Sequence, residues 1–429
     1  MNSQWLARSR AAVWHPCTQM KALESFPLVP IARGEGAWLY DFAGKRYLDA
    51  VSSWWVNLFG HANPRINGAL VAQLYELEHV MLAGCTHRPV VELSERLAAL
   101  APVGLGHAFY GSDGAAATEI ALKMSFHYWR NSGRPEKRGF VSLAGGYHGE
   151  TLGALAVTDV AMFRDTYAPL LKRNAVVPCP DARHDSTPDA AAAALEAHLA
   201  QNHGTTAALI VEPLVQGAAG MVMYDASYLR RARELCTHYG VHVIADEIMT
   251  GFGRTGTLFA WEQAGADAPD FLCLSKGLTG GYLPLSCVLS TDDVFQAFYA
   301  DDTVRGFLHS HSYTGNALAC RAALAVLDIF DHDNVLAANQ AKADRWDAAI
   351  APLAAHAKVR DFRRCGMIWA FEVDSARQDF ARWFAAGALA RELLLRPIGR
   401  TVYFMPPYIV TDEEFALLCA RTLDLLGEA

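Results

Sequence analysis

The sequence predicts an α/β protein in which a mostly parallel sheet, covered by helices on both faces, forms the main domain. Between about residues 65 and 310, helical patterns alternate with short runs that are apolar throughout. A strand with one exposed face alternates apolar and polar residues, so uninterrupted apolar runs favour strands covered on both faces. The runs are Ala108–Tyr110, Gly139–Leu143, Ala207–Val211, Val241–Ala245, Phe271–Leu274 and Cys287–Leu289.

Helix-starting and helix-ending residues lie between these runs. Asn63 is placed to cap a helix that begins at Pro64 and runs to Met81, because proline is favoured in the first helical turn. A second helix is predicted over Tyr228–Tyr239, where Gly240 supplies the residue type that commonly ends a helix. Strands that alternate with helices in this way are typical of a parallel sheet.

The order of elements changes after about residue 316. A long helix is expected near Asn334–Ala355, followed by a strand-like segment at Met367–Val373. A last helix opens at Thr411, with Glu414 in the capping-box position. This order predicts a smaller α+β domain, and the hairpin-like stretch Gly36–Leu48 is expected to pack with it.

The two ends of the chain are therefore expected to share the small domain. Residues 1–62 and 316–429 would form it, and residues 63–315 would form the large domain. A length of 429 residues fits two domains, since one domain commonly spans roughly 100 to 200 residues.

The composition excludes two classes of protein. With 37 Lys and Arg against 45 Asp and Glu, the net charge is −8, which argues against a protein that neutralises nucleic-acid phosphates. Hydrophobic residues make up 52% and charged residues 19%, far from the composition of disordered chains.

The cysteines and the apolar segments bear on location. Nine cysteines lie scattered with no CxxC pair, so we expect no metal site, no disulfide framework and a reducing compartment. No apolar run approaches the length of a membrane span, and the first residues lack the apolar core of a signal peptide. The sequence therefore predicts a cytoplasmic protein with no membrane partner.

Two of the apolar runs end in residues of opposite charge. The run from Val241 delivers Asp246 and Glu247 at its carboxyl end, and the run from Phe271 delivers Lys276. Ligands of open parallel sheets bind beyond these ends. A carboxylate and a lysine there suit pyridoxal phosphate, whose pyridine nitrogen needs an anion and whose aldehyde forms a Schiff base with an amine. The alternative is a surface ion pair.

A glycine pattern in the same region offers a different class of function. Gly251, Gly253 and Gly256 match G-x-G-x-x-G, the fingerprint of dinucleotide-binding dehydrogenases. That fingerprint needs a strand that runs directly into the glycines and a helix that opens on them. Here two carboxylates precede the glycines and Arg254 interrupts them, so we disfavour a nicotinamide dehydrogenase.

Two further segments suit a flat, phosphorylated cofactor. Ser112–Gly114 separates a short strand from a strong helix-forming series, so helix amides and the helix dipole can bind a phosphate there. Tyr147 lies among small residues in Gly145–Gly149 and can stack on a flat ring. The alternatives are a simple capped helix and a surface tyrosine in a glycine turn.

Taken together, these segments resemble the class III aminotransferases, which are pyridoxal phosphate enzymes of fold type I. The resemblance spans nearly the whole chain and is carried by IVEPLVQG at 210–217, the Asp246-Glu247 and GFGRTG run, LSKGLTGG around Lys276, and HSYTGNALAC at 311–320. It implies that Lys276 forms the Schiff base and that Asp246 pairs with the pyridinium nitrogen.

The same resemblance implies the other cofactor contacts and a homodimer. Gly114 and Ala115 would offer amides to the phosphate, and Tyr147 would act at the cofactor ring. His311 and Ser312 would also bind the cofactor, Ser312 at the phosphate of the neighbouring subunit, because this family builds its sites across a dimer interface.

Further segments are similar to the branch of the class that acts in biotin biosynthesis, namely WHPCTQM at 14–20, SSWW at 52–55, YHGET at 147–151 and RPIGRTVYFMPPYI at 396–409. That branch moves an amino group from S-adenosylmethionine to 7-keto-8-aminopelargonate. The resemblance implies that Trp54, Trp55 and Tyr147 line a site for this long apolar acid. Arg396 would bind its carboxylate. The alternatives are core packing for the tryptophans and a surface arginine.

Three departures from the family pattern affect the substrate site. Cys17 stands where many members carry a tyrosine that contacts substrate, and Ala115 replaces a common serine. Ser310-His311-Ser312 replaces the frequent Gly-Pro-Thr, and Ser310 is expected to contact substrate. A similar stretch occurs in relatives that use lysine, so lysine is the alternative donor. An ω-aminotransferase acting on a diamine or an ornithine derivative, a 2,1-aminomutase and a non-catalytic binding protein stay open as competing interpretations.

Overall fold

The computed structural model describes residues 2–26, 28–184 and 186–428. Contacts within the chain divide it into two units. The smaller unit combines residues 1–67 with residues 338–429, and the larger unit comprises residues 68–337.

Sixteen strands occur in the described residues. They are β1 Ile31–Glu35, β2 Trp38–Asp41, β3 Arg46–Asp49, β4 Leu105–Gly111, β5 Gly139–Leu143, β6 Ala175–Val177, β7 Thr206–Val211, β8 Val215–Gln216, β9 Val222–Met223, β10 His242–Asp246, β11 Phe271–Leu274, β12 Ser286–Thr291, β13 Val359–Cys365, β14 Ile368–Val373, β15 Leu393–Leu394 and β16 Thr401–Phe404.

Ten helices of the same residues exceed two turns. They are α1 Asn2–Ala12, α2 Pro64–Leu74, α3 Arg88–Leu100, α4 Gly114–Asn131, α5 Pro188–Asn202, α6 Ser227–Tyr239, α7 Ala317–Asp333, α8 Val335–Ala354, α9 Phe380–Ala390 and α10 Asp412–Gly427. None of the helices described combines the length and the apolar character needed to cross a membrane.

The larger unit is organised around a seven-stranded sheet with the order β4-β12-β11-β10-β7-β5-β6. All neighbouring pairs from β11 to β6 are parallel, and β12 alone runs antiparallel to both of its neighbours. Ile210, Ile244 and Phe271 are fully buried in this sheet and pack in one cluster with Ile120 and Ala121 of α4. The predicted mostly parallel sheet is therefore confirmed.

The predicted strands of this sheet agree with the structure to within a few residues, and one strand was missed. Gly139–Leu143 and Phe271–Leu274 have the predicted bounds. The missed strand, Ala175–Val177, is only three residues long and lies at the edge of the sheet. Val176 is 44% exposed at this edge position, so the segment lacks the burial on both faces that the other apolar runs indicated.

Two predicted helices show where local signals succeed and fail. Helix α6 ends before Gly240, which has a left-handed φ of 62°, as its sequence predicts. Helix α2 ends at Leu74 and not at Met81, so the predicted bound was wrong. The side chains of Tyr75 and Met81 are 89% and 62% exposed, so no buried face stabilises further helical turns.

The smaller unit holds a four-stranded sheet, β1-β2-β3-β15, and a three-stranded antiparallel sheet, β13-β14-β16. Strands β2 and β3 form the predicted hairpin. Helix α10 opens with the predicted capping box, in which the Glu414 amide donates to Thr411 Oγ1 and the Thr411 amide donates to the Glu414 carboxylate. These elements give the small α+β body that the sequence predicts.

Candidate active site

The sheet of the larger unit places Asp246 and Lys276 at the carboxyl ends of two neighbouring strands. Strands β10 and β11 are parallel neighbours in which Asp246 pairs with Cys273, and Lys276 begins the short 3-10 turn just beyond β11. Lys276 has a φ of 46°. Residues other than glycine rarely adopt such left-handed backbone, and those that do cluster at functional sites.

The Asp246 carboxylate is buried and has two hydrogen-bond donors. His148 Nδ1 lies 2.7 Å from Asp246 Oδ2, and the Ile248 amide donates to Oδ1 at 3.1 Å. An ionised carboxylate only accepts hydrogen bonds, so the His148 ring carries its hydrogen on Nδ1. Both bonds satisfy the buried carboxylate with donors. A buried, held anion of this kind suits a protonated ring nitrogen.

The surroundings of Lys276 favour the neutral form of its amine. The pKa of Lys276 is lowered to about 8, and burial is the largest cause. Asp246 and Glu212 oppose this decrease, whereas Arg254 contributes to it. Near pH 8 a large share of the amine is therefore uncharged. An uncharged amine is the nucleophilic form that adds to an aldehyde.

This pKa predicts a pH dependence for loading the chain with cofactor. The folded pKa lies below the ordinary 10.5, so the neutral fraction rises about tenfold per pH unit below pH 8 and levels off above it. We expect the rate of Schiff-base formation between the cofactor-free protein and pyridoxal phosphate to follow this curve in stopped-flow absorbance. Butylamine in the same buffers is the control, and its rate should keep rising to about pH 10. A protein rate that tracks butylamine would contradict the lowered pKa.

A place for a phosphate lies at the start of α4. Asp113 caps this helix, since its Oδ1 accepts the Ala116 amide at 2.9 Å. The amides of Gly114 and Ala115 have no carbonyl partner within the helix and carry the positive end of its dipole. A Cβ added at Gly114 would lie 2.8 Å from Ile248 Cγ2. Because glycine has no Cβ, the start of α4 can lie close to Ile248, two residues beyond the end of β10.

The turn with Tyr147 and His148 is held by the neighbouring elements. The Tyr147 amide donates to Glu212 Oε1 at 2.9 Å, and the Tyr147 hydroxyl donates to Glu150 Oε1 at 2.9 Å. Thr118 of α4 donates to the His148 carbonyl at 2.8 Å. These bonds place the turn beside both the helix start and the Asp246 carboxylate.

Sequence reasoning did not assign roles to His148 and Glu212, although both lie in segments that carry the family resemblance. Glu212 follows β7 just as Asp246 ends the neighbouring strand β10. Burial raises the pKa of Glu212 to about 7, and the adjacent Asp246 also raises it, whereas His148 lowers it. A charged residue at the end of a wholly apolar strand was the signal that could have identified Glu212.

A chain of hydrogen bonds holds His311. Lys123 Nζ lies 2.8 Å from His309 Nδ1, His309 Nε2 lies 3.1 Å from His311 Nε2, and His311 Nδ1 lies 3.0 Å from Ser112 Oγ. An ammonium group only donates, so each ring accepts on one nitrogen and donates from the other. The structure thus ties His311 to the residues that precede α4. Ser310 and Ser312 are exposed on either side of His311.

The remaining predicted residues belong to the smaller unit. The guanidinium carbon of Arg396 lies 4.3 Å from the ring centroid of Trp54. Trp55 is buried, and its Nε1 donates to Tyr403 Oη at 3.0 Å. Cys17 is exposed between α1 and the 3-10 helix Met20–Glu24. The structure therefore brings Arg396 and Trp54 together as a cationic and aromatic surface.

The glycine pattern does not form a dinucleotide-binding turn. Strand β10 ends at Asp246, and residues 251–256 form turns that lead to the 3-10 helix Ala260–Ala264. Glu247 accepts the amides of Ala260 and Trp261 at 2.7 and 2.6 Å, which fixes this segment. No helix opens on the glycines in this described segment, so the dehydrogenase alternative was wrong.

The residues of the larger unit fit pyridoxal phosphate. They supply a reactive amine, a buried anion and a helix start that can bind a phosphate, all next to the ends of β10 and β11. The buried Nε2 of His148 and the side-chain amide of Gln216 have no hydrogen-bond partner among the described residues. Such groups are common where a bound molecule or water completes a site.

The chain belongs to the class-III aminotransferases, because the model of that family matches residues 20–426. Members of this family are pyridoxal phosphate-dependent enzymes of fold type I, so the protein is an aminotransferase that uses this cofactor. The predicted family, enzyme class and cofactor are confirmed.

Relatives with a narrower name match nearly the whole chain. An adenosylmethionine-8-amino-7-oxononanoate aminotransferase of Helicobacter pylori is 45% identical over 97% of this chain and 96% of its own length. The enzyme of the same name from Geobacter sulfurreducens is 40% identical over 95% and 94%.

Two solved structures have the same fold. The adenosylmethionine-8-amino-7-oxononanoate aminotransferase of Methanocaldococcus jannaschii superimposes with a TM-score of 0.95, with 33% identity over 100% of this chain and 99% of that one. The omega transaminase of Pseudomonas jessenii in complex with PMP gives a TM-score of 0.93, with 28% identity over 98% and 97%.

Proposed function

We propose that this enzyme transfers an amino group from S-adenosylmethionine to 7-keto-8-aminopelargonate, which gives 7,8-diaminopelargonate in biotin biosynthesis. The single observation that carries the choice of acceptor is the stacking of Arg396 on Trp54, with the two groups 4.3 Å apart. A cation beside an aromatic face suits a substrate with a carboxylate at the end of a long alkyl chain. The names of relatives up to 45% identical support the same assignment.

Pyridoxal phosphate, when bound, supplies an electron sink that stabilises negative charge at the carbon bearing the amino group. Lys276 holds the cofactor through its amine. Once the donor has displaced it, the free amine accepts at Nζ a proton from the carbon that bears the amino group of the donor. The lowered pKa of Lys276 favours a neutral amine that can accept this proton. The second substrate is aminated by the same steps in reverse.

The other predicted residues hold and orient the reactants. Asp246, positioned by His148, keeps the ring nitrogen protonated. The amides of Gly114 and Ala115 bind the phosphate at the start of α4. Tyr147 covers the ring, with its hydroxyl fixed by the acceptor on Glu150. The chemistry of each side chain and its place in the larger unit support these proposed roles.

Most substrate contacts in this proposal come from the two ends of the sequence, and Ser310 comes from the larger unit. Arg396 binds the carboxylate of the keto acid, and Trp54 and Trp55 line its alkyl chain. Cys17 and Ser310 contribute further contacts. The exposure of Cys17 and Ser310 supports this, because both side chains are accessible to a ligand.

The enzyme is proposed to act as a cytoplasmic homodimer in which Ser312 contacts the cofactor phosphate of the neighbouring subunit, and His311 also binds the cofactor. Tyr313 and Leu308 beside them are 65% and 80% exposed, and large exposed apolar side chains favour a covered interface. Six of the nine cysteines are buried thiols, which suits a reducing compartment. The apolar surface beside His311 thus supports the dimer, and the free thiols support the compartment.

The absorption spectrum of the cofactor-loaded enzyme tests the donor. We expect S-adenosylmethionine alone to shift the visible band of the bound cofactor to the near-ultraviolet band of its aminated form. Lysine in a parallel sample should leave the spectrum unchanged. A shift with lysine alone would keep the product and change the donor, and a protein that takes up no cofactor would overturn the proposed function.

A further inference from the structure

Four consecutive residues of the smaller unit form one turn of left-handed backbone. Ser52, Ser53, Trp54 and Trp55 have φ angles of 51°, 47°, 72° and 74°. None of them is glycine, and left-handed helical backbone is unfavourable for L-residues because their Cβ crowds the following carbonyl oxygen. Such a turn persists only where the surrounding structure over-determines it, and strained backbone of this kind clusters at functional sites. The contacts that hold the turn therefore point to a functional role.

The main support of this turn is the carboxylate of Asp49, which is completely buried. Its Oδ1 accepts the Ser53 amide at 2.9 Å, and its Oδ2 accepts the Ser53 hydroxyl at 2.7 Å. His61 Nε2 lies 3.0 Å from the same Oδ2. One buried anion thus joins the middle of the turn to an imidazole that follows it in sequence.

The ring of His61 is held in one orientation. Asn57 Nδ2 lies 3.2 Å from His61 Nδ1, and an amide NH2 donates, so Nδ1 accepts and Nε2 carries the hydrogen toward Asp49. The Asn57 oxygen accepts the Gly60 amide at 2.7 Å. A Cβ at Gly34 would lie 2.6 Å from His61 Cβ, so glycine leaves room for the imidazole.

The two ends of the turn are tied to strand β16 and the residue after it. Ser52 Oγ donates to the Met405 carbonyl at 2.7 Å, and Trp55 Nε1 donates to Tyr403 Oη at 3.0 Å. Trp54 remains 41% exposed with Arg396 stacked on it. A right-handed turn would direct these side chains differently. The handedness of the turn therefore decides which tryptophan meets Arg396.

We propose that Asp49 and His61 are positioning residues that hold the left-handed Ser52–Trp55 turn and thereby set the recognition of the carboxylate end of the keto acid. This proposal rests on the proposed function, because it takes Trp54 and Arg396 as contacts of 7-keto-8-aminopelargonate. Asp49 and His61 act through the turn and need not touch the substrate themselves.

Kinetics of the Asp49→Ala variant test this role. We expect KM for 7-keto-8-aminopelargonate to rise at least tenfold, while kcat changes less than threefold, because the turn orients the binding surface and not the reacting amine. His61→Gln should give a smaller rise. Asp49→Asn should give a rise between those of His61→Gln and Asp49→Ala, since its amide oxygen can still accept the Ser53 amide but its NH2 cannot accept from His61 Nε2.

Asp41→Ala is the matched control. Asp41 is also a buried carboxylate of the smaller unit, and it accepts the Ala43 and Lys45 amides and the Tyr47 hydroxyl in the hairpin. Its loss should lower the melting temperature without changing KM. Equal KM values for Asp49→Ala and Asp41→Ala would overturn the proposal. Should Asp49→Ala not fold, Ser53→Ala and His61→Gln decide the same question, and unchanged KM values in both would overturn it.

Hydrogen exchange separates this proposal from the proposed function. In the Asp49→Ala protein without cofactor, the amides of residues 53–55 should exchange at least tenfold faster than in the wild type. Unchanged exchange would overturn the holding role of Asp49, whatever the substrate is. A wild-type enzyme that does not aminate 7-keto-8-aminopelargonate would instead overturn the proposed function and the specificity that depends on it.

Discussion

Replacing Lys276 with alanine should abolish transamination, with kcat falling by roughly 10⁴-fold or more, as when a catalytic nucleophile is removed from other enzymes. The variant loses the amine that holds the cofactor and moves the proton at the end of β11. Coupled assays of product formation and the spectrum of the cofactor-treated protein measure the effect. Lys276→Arg should be equally inactive, because it keeps the charge and lacks a nucleophilic amine.

A surface lysine provides the control for this variant. Lys21 is exposed in the smaller unit, so Lys21→Ala should keep the wild-type rate and spectrum. More than about 1% of the wild-type rate in Lys276→Ala would contradict the role of Lys276, since general acid–base steps alone contribute about 10²–10⁴-fold.

Replacing Asp246 with asparagine should reduce kcat by about 10³-fold, in the range seen when one electrostatic group is removed from an active site. The amide is neutral and no longer favours a protonated ring nitrogen, so the electron sink weakens. His148 also loses the anion to which its Nδ1 donates at 2.7 Å. Single-turnover absorbance with S-adenosylmethionine measures the rate of the first half-reaction apart from cofactor binding.

Asp270 offers a matched control because it lies at the opposite end of the neighbouring strand. It precedes β11, pairs with Arg233 at 2.5 Å and accepts the Val243 amide at 2.7 Å. Asp270→Asn should lower thermal stability and keep the single-turnover rate within about threefold of the wild type, because ligands bind at the carboxyl ends of the strands. Similar losses in both variants would show that Asp246 acts only through stability.

The sequence predicted those parts of the fold whose signals are local. Uninterrupted apolar runs indicated the buried strands, and Gly240 and Thr411 indicated helix bounds. The bound of α2 was wrong, because the exposure of Tyr75 depends on packing that no local pattern records. The domain borders predicted near residues 62 and 315 stay predictions, as do the roles of the individual site residues.

The parts of the site that sequence reasoning missed depend on long-range contacts. His148 and Asp246 are 98 residues apart, and only the folded sheet makes the imidazole a partner of the carboxylate. The left-handed turn at Ser52–Trp55 is equally hidden, because serine and tryptophan do not favour positive φ. Asp49 binds Ser53 only four residues along the chain, but the Met405 carbonyl that accepts from Ser52 is 353 residues away.

In the chain of hydrogen bonds that joins Lys123, His309, His311 and Ser112, the lysine fixes which nitrogen of each imidazole carries the hydrogen. Two imidazoles in contact can arrange their hydrogens in either of two opposite directions with similar energy. An ammonium at one end removes that degeneracy, because it can only donate into His309. The whole row then points toward Ser112 Oγ, whose own hydrogen is left to donate away from His311. The charge of Lys123 thus determines the hydrogen-bond direction at Ser112, just before α4. Direct electrostatic attraction over the same distance would be weakened by solvent screening.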